Sequence, residues 1–531
     1  MVVGRTWQRC CCPVPTLLRK RPRASLPPAR QSSRLFFSII APRDYREALS
    51  RLAQLQANRA VTQLFDRPPG AARDQEDLNA AAIPEMAGWL ARAGYAPQDL
   101  ARMRHIHVAG TKGKGSVCAF ATSVLRQYAD GPVGTYTSPH LVSPRERIAV
   151  DGRPVSQDVF ARGFFELWDR FTEQAVRRDG ADAAAAAAAA AAEARGPATK
   201  PFFFRYMTIL AWHLFLQQGV GDVVMECGIG GEHDATNVLP AEAVSAAVIC
   251  RLGRDHVAML GGSLDQIAWH KAGILKPGVR AFTVNVERSQ PSVMRVLRRR
   301  AAERSASLVE LDPDAVRSWG GVRGGSLRGD FQATNQALAV MAAQHHLGLE
   351  PPSLAALPDK MVRGLREAAL RGRCEILRRR AATWLLDGAH TAESLDQVAR
   401  WLARELQPDD RGVVLVFNQQ ERDAAGLLRH LLAAVGRETG TSGVFRHALF
   451  ARNERRAQAP PGGRDALSVQ RDAAAAMREA SPRSQTAVFG NVDDAVHEAE
   501  RLVAGGGKVL VTGSLHLVGG VLQVLEPDSL L

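Results

Sequence analysis

The sequence predicts an α/β protein with two domains, the first built on a mainly parallel sheet and the second smaller. Three observations carry this. Short apolar runs of strand length alternate with helix-period segments from His105 onward. A Gly-rich turn joins the first of these strands to the helix after it. A second series of the same kind begins near residue 382. The chain has 531 residues, 46% hydrophobic and 23% charged, which suffices for a sizeable core and excludes a wholly disordered or collagen-like chain. No stretch approaches ~18 uncharged apolar residues, so no stable membrane insertion is expected.

Taken in order, Leu49, Leu52 and Leu55, and then Met86, Trp89 and Leu90, recur at helical spacing, separated by the breaker Arg67-Pro68-Pro69-Gly70. His105 to Ala109 reads as a buried strand and Val117 to Tyr128 as a helix. Val133 to Tyr136, Asp222 to Glu226, Val244 to Cys250 and Arg280 to Val284 are further strands. Ala183 to Ala192 is a run of alanines with no amphipathic face, read as part of a low-complexity surface insertion over 180–200. In the second series, Thr383 to Leu386, Val413 to Phe417, Ala448 to Phe450, Ala487 to Phe489 and Val509 to Val511 read as strands. Residues 452–486, rich in Arg, Ala, Pro and Gly, read as a long exposed excursion.

The formal charge of +14 invites a nucleic-acid reading, but its location argues otherwise. Residues 1–43 hold nine Arg or Lys and no acid; without them 59 basic residues face 54 acidic ones, a net of +5. An Arg-rich, acid-free N-terminus reads as a transit peptide directing the chain to mitochondria, in the matrix or against the inner membrane, with a cytosolic form as a further product. The alternative is a basic tail without a targeting role. Seven cysteines, at 10, 11, 12, 118, 227, 250 and 374, show no CxxC pair, so reduced thiols and no structural zinc are expected.

The strongest local signal is Gly110-Thr111-Lys112-Gly113-Lys114-Gly115-Ser116, between a strand and a helix. That context supplies backbone amides and a helix N-terminus for phosphates, with Lys114 reaching the terminal ones. The usual loop has Ser or Thr after this lysine to meet Mg²⁺; here Gly115 stands there, so the metal must take oxygen from Ser116 or from elsewhere. Thr137-Ser138-Pro139-His140, Glu226-Cys227-Gly228 and Asp255-His256 follow other strands and offer candidates. In a parallel sheet such strand ends converge on one crevice.

Five motifs occur in order: Ala109 to Ser116, Thr137 to Ile148, Glu226 to Gly231, Asp255-His256 with His270 to Ile274, and Leu386 to Thr391. On these the chain closely resembles the folylpolyglutamate synthase family of the Mur ligase superfamily, from about Tyr45 to the C-terminus. The resemblance implies a Mur-ligase-like P-loop ATPase domain over 44–366 and a Rossmann-like C-terminal α/β ligase domain over 367–531. It implies an ATP-dependent ligase that phosphorylates the γ-carboxyl of a tetrahydrofolate or its polyglutamate, then lets the amine of L-glutamate displace the phosphate. Gly113, Lys114, Gly115 and Ser116 would bind the ATP phosphates, with Arg373, Asp387 and, at the adenine, Asn335. Ser138, Glu226 and His256 correspond to magnesium ligands, and Lys271 to a lysine carried as a carbamate. His390 and Ser514 correspond to the glutamate side. Lys114, Lys271 and His256 form the implied catalytic set. The implied cofactors are ATP and Mg²⁺, with a monovalent cation such as K⁺ as a further candidate, in a monomer that takes no nucleic acid.

Two departures stand out. Lys112 occupies a position where bacterial relatives usually carry Asn, and Gly364 to Arg373 lacks the Trp-Pro-Gly-Arg form common before the ATP arginine. Three other readings share motifs: a bifunctional dihydrofolate synthase/folylpolyglutamate synthase, a cell-wall Mur ligase, and a nucleotide-binding scaffold without catalysis.

Overall fold

The computed structural model describes residues 43–55, 72–178, 194–407, 412–420, 423–456 and 467–527. The transit reading (except Arg43), the breaker at 67–70 and the alanine run lie outside them. Fourteen strands are described: β1 Arg104–Ala109, β2 Val133–Tyr136, β3 Ile148–Val150, β4 Arg153–Pro154, β5 Asp222–Glu226, β6 Val244–Ile249, β7 Arg280–Val284, β8 Ser307–Leu311, β9 Glu375–Arg379, β10 Ala382–Leu386, β11 Val413–Phe417, β12 Phe445–Ala451, β13 Gln485–Phe489 and β14 Gly507–Thr512.

They form two sheets, ordered β4-β3-β2-β5-β1-β6-β7-β8 and β13-β12-β11-β14-β10-β9. In the first, β2, β5, β1, β6, β7 and β8 run parallel, and β3 pairs antiparallel with both β2 and β4. In the second, only β9 is antiparallel. The expected α/β class with a mainly parallel first sheet is what the structure has. Helices cover both faces, as parallel strands buried on both sides require.

Strand ends stay in step where it matters. Val108 pairs with Glu226, Ala109 with Ile249 and Tyr136 with Met225, so β2, β5, β1 and β6 stop on one line. The helix after β1 spans Lys114–Leu125, three residues earlier than its apolar pattern predicts. Its buried Val117, Phe120, Ala121 and Val124 pack against helices Gln332–His346 and Asp359–Glu367. Gly364 allows this contact: a Cβ there would lie 2.7 Å from the Val124 Cα.

Two sequence readings are corrected. Part of the supposed insertion is packed structure: Ala194 and Lys200 are buried, and the Lys200 ammonium donates to the Ala194 carbonyl at 2.7 Å. The supposed excursion at 452–486 contains a helix, Ser468–Ala480, whose Ala473, Ala474, Ala476 and Met477 belong to the core of the second sheet. Alanine there is a small contact surface for close packing, which composition alone reads as low complexity. Residues 457–466 lie outside the described set.

The connection between the sheets runs from helix Asp359–Glu367 to β9. A second contact joins them: Leu141 and Val142, from the loop after β2, pack into the core formed by β10, β14 and helix Leu515–Leu525. Gly519 of that helix meets this loop backbone to backbone, since a Cβ on it would lie 2.1 Å from the Leu141 carbonyl oxygen.

Candidate active site

The site grows out of the line on which β2, β5, β1 and β6 end. The loop after β1 turns at Gly110 and Gly113, both with positive φ, of 151° and 90°. Side chains are disfavoured there on two counts. A Cβ on Gly110 would lie 2.5 Å from the Cys250 Cβ, and one on Gly113 would lie 2.3 Å from the Asn335 Oδ1. The amides of Thr111 and Lys112 both donate to the Arg251 carbonyl, at 3.0 and 3.1 Å, which fixes the loop against the end of β6. The turn thus presents Lys114 at the start of its helix.

Lys114 faces Glu226, the last residue of β5, with Nζ 3.8 Å from Oε1. Glu226 also accepts from the Ser138 amide at 2.9 Å. Burial pushes the Glu226 carboxyl above its usual range, and Lys114, the Ser138 amide, Arg373 and Arg147 pull it back without overcoming burial. The structure therefore brings together Lys114, Glu226, Ser138 and, through its field, Arg373. The Ser138 hydroxyl has no protein partner among the described residues. Ser116 is turned elsewhere: its hydroxyl accepts from Gln332 Nε2 at 3.5 Å, and the Gln332 Oε1 accepts from Asn335 Nδ2 at 2.8 Å. Gly115 is packed, a Cβ on it falling 3.2 Å from Leu370 Cδ2 and 3.9 Å from Glu226 Oε2.

Lys271 is buried under the loop and donates to the Gly110 carbonyl at 2.8 Å. Burial, then the field of Lys114, lowers its pKa to about 7. His256 lies at the N-terminal end of the short helix Val257–Leu260, exposed, with φ 50°. Its neighbour Asp255 pairs with Lys112 at 3.5 Å. Among the described residues no group of three or more His, Cys, Asp or Glu is placed to hold a metal ion. The four described cysteines, Cys118, Cys227, Cys250 and Cys374, are free and buried.

From the second sheet comes Asp387, at the end of β10. Its carboxylate accepts from the Cys374 amide at 2.8 Å and the Ala389 amide at 2.9 Å. Burial raises its pKa, against the field of Arg373. Both oxygens being occupied by backbone, Asp387 holds the segment that carries Arg373. The Arg373 guanidinium makes no hydrogen bond or ion pair among the described residues. His390 Nδ1 lies 2.9 Å from the Gly388 carbonyl, and Ser514 is a buried residue at the start of helix Leu515–Leu525.

No family model matches the chain. The folylpolyglutamate synthase of Neurospora crassa is 38% identical over 530 residues, spanning 93% of this chain and 94% of that relative. The chain belongs to the folylpolyglutamate synthase family. A folylpolyglutamate synthase of Saccharomyces cerevisiae is 34% identical over 509 residues, 91% of this chain and 87% of its own length. Among solved structures, Mycobacterium tuberculosis folylpolyglutamate synthase complexed with ADP superposes with a TM-score of 0.64 at 26% identity, over 91% of this chain and 99% of that one. The Thermotoga maritima folylpolyglutamate synthase shares the fold, with a TM-score of 0.63 at 22% identity, covering 92% and 98%.

Sequence reasoning missed Leu370 and Gln332, and it offered His140 only as part of a strand-end candidate, without its pairing to Arg147. Leu370 fills the space beside Gly115, and Gln332 joins Ser116 to Asn335. His140 accepts from Arg147 Nε at 2.9 Å, and burial with Arg147 and His516 lowers its pKa to about 3, so it is neutral. His140 and Leu370 both stood inside segments quoted from the sequence, and Gln332 three residues before Asn335, but the part each plays depends on a tertiary contact that the local sequence does not report.

Proposed function

We infer that the chain is an ATP-dependent ligase that adds L-glutamate to the γ-carboxyl of tetrahydrofolates and their short polyglutamates. The observation that carries this is that Lys114 of the phosphate loop faces Glu226 of the neighbouring strand, while Arg373, from the segment leading to the second sheet, acts on the same Glu226 through its field. A carboxylate is a poor electrophile until phosphorylated, and phosphoryl transfer needs positioned cations more than covalent help. Lys114 and Arg373 supply those cations from two sides of the γ-phosphate.

A divalent cation fits the residues present. The Ser138 hydroxyl, without a partner among the described residues, and the Glu226 carboxylate that accepts from the Ser138 amide are hard oxygens of the kind Mg²⁺ takes, and the former would replace the hydroxyl missing at Gly115. Bound there, Mg²⁺ would neutralise phosphate charge and favour the ionised Glu226. His256, on its exposed turn, is proposed as the third ligand. Lys271, with a pKa near 7, is a free amine for much of its time at neutral pH, which suits reaction with CO₂ to a carbamate. His390 and Ser514 are proposed to line the glutamate side and Asn335 the adenine side. The acid-free basic segment over 1–43 supports import into mitochondria, and we propose that the enzyme acts there as a monomer.

The test is direct. The purified chain is given ATP, L-glutamate and either tetrahydrofolate or dihydropteroate, and ADP is followed with the product mass. Glutamylated tetrahydrofolate is expected. Turnover of dihydropteroate would establish the bifunctional reading, and no ADP with any folate would overturn the ligase.

A further inference from the structure

Arg147, the residue before β3, is a buried cation without a counter-ion among the described residues. It is 8% exposed. Its Nε donates to His140 Nδ1 at 2.9 Å, and its guanidinium carbon stands 5.2 Å from the centroid of the Phe203 ring. Among the described residues no carboxylate lies within ion-pairing distance of it. The Tyr136 hydroxyl beside it is neutral, burial holding it protonated. Glu146 and Glu226 act on it only through their fields. Both are otherwise engaged. Glu146 accepts from the amides of Leu141, Val142 and Ser143, and Glu226 from Ser138 while it faces Lys114. Buried charges are normally paired, because an isolated one is costly. An anion from outside the chain would complete this one.

Which anion follows from position. The sheet order β3-β2-β5-β1 sets Arg147 beyond Ser138 and Glu226 as seen from the phosphate loop. The Thr137 amide donates to the Arg147 carbonyl at 3.0 Å, which places Arg147 opposite the β2 end. Three strand spacings, about 14 Å, separate β3 from β1. The nucleotide phosphates belong on the Lys114 side, and the group that receives the phosphoryl must stand on the other side of Glu226. We propose that Arg147 grips the terminal carboxylate of the glutamyl chain being extended and aims it at the γ-phosphate, with His140 fixing the guanidinium in plane. This rests on the ligase reading above and names the residue that recognises its acceptor.

The test compares a folate carrying a free γ-carboxylate with its γ-amide, by equilibrium binding to the full chain in the presence of ADP, with KM values for ATP and glutamate alongside. One charge-assisted bidentate contact corresponds to roughly 10- to 100-fold. The wild type is expected to prefer the acid by about 30-fold, R147Q by less than about 3-fold, with R147K between them. The KM for ATP and for glutamate should stay within about twofold. An R147Q that keeps the wild-type preference overturns the proposal, as does a KM rise for glutamate in place of weaker folate binding, which would put Arg147 on the incoming amino acid. If R147Q does not fold by circular dichroism, R147K decides: an unchanged preference overturns the proposal. A wild type that binds acid and amide alike also overturns it, whereas one that binds no folate overturns the ligase reading itself.

Discussion

The ends of β1, β2 and β5 in the first sheet and the end of β10 in the second hold charged groups of similar burial in opposite states. At the first, Lys114 and Glu226 stand 3.8 Å apart without a hydrogen bond, the Ser138 hydroxyl has no partner among the described residues, and Arg147 has no counter-ion there. At the second, both oxygens of Asp387 are taken by the Cys374 and Ala389 amides. Burying a charge is costly unless it is satisfied, so the first arrangement persists only if something pairs those groups during the reaction. The second is complete in itself. On the proposed function, similar strand ends would serve chemistry in one sheet and placement in the other, with Arg373 offered from a segment that the buried Asp387 carboxylate ties down.

The largest effect should come from the unsatisfied end. Lys114→Ala is expected to lower kcat by about 10³-fold or more, on the order of 4 kcal/mol of transition-state stabilisation, with the melting temperature close to that of the wild type. Steady-state ADP release and calorimetry read the two quantities; a variant with a tenth of the wild-type rate would sink the role given to Lys114.

Lys271 sharpens the comparison through pH. Its folded pKa of about 7 lies below the unfolded value of ~10.4, so between these values the unfolded chain binds more protons. Stability from this group is present above the unfolded value and is lost as pH falls through the folded one. Lys271→Met has no proton to take, so its stability relative to the wild type should be greatest below pH ~7 and decline by about 3 kcal/mol towards pH ~10. Urea melts at three pH values test this, and a flat difference would mean that Lys271 is not charged at a cost.

Asp387→Ala should invert the Lys114 result. It strands two backbone amides, a cost of about 2 kcal/mol, while turnover at a permissive temperature falls by no more than about tenfold. A loss of turnover comparable to that of Lys114→Ala, without a change in stability, would return Asp387 to direct contact with ATP.

The smallest effect belongs to Gly115. Its would-be Cβ lies 3.2 Å from the end of the flexible Leu370 side chain, so Gly115→Ala should cost about 1 kcal/mol or less. Gly115→Ser should leave the Mg²⁺ requirement unchanged, whereas Ser138→Ala should raise the Mg²⁺ concentration needed for half-maximal rate. The opposite pattern would place the metal hydroxyl in the loop.

Central parallel strands were legible in the sequence because they are buried on both faces and read as unbroken apolar runs. Val133–Tyr136, Asp222–Glu226, Arg280–Val284 and Val413–Phe417 match their predicted bounds. The edge strand Gln485–Phe489 was read only over Ala487 to Phe489, and four other strands at or next to an edge were not read at all. Ile148–Val150, Arg153–Pro154, Ser307–Leu311 and Glu375–Arg379 are partly solvated, mix polar with apolar residues, and escape a search for apolar runs. The helix at Lys114 begins before its apolar pattern because its first turn is shaped for a phosphate, which hydropathy does not report. At the site, Lys114, Glu226 and Ser138 were legible as strand-end residues beside a phosphate loop. The engagement of Asp387 by backbone and the isolation of Arg147 were not, since both are defined by what surrounds the side chain.

The contact at Gly519 has a consequence for inherited variation. Its neighbour Leu141 lies three residues from Ser138, so a side chain at position 519 would displace the loop that carries the Ser138 hydroxyl. Damaging alleles should therefore fall in two separated stretches of the gene, one around the phosphate loop and one in the codons for the last helix. A screen for folate auxotrophs that sequenced only the nucleotide motifs would leave the second group unread.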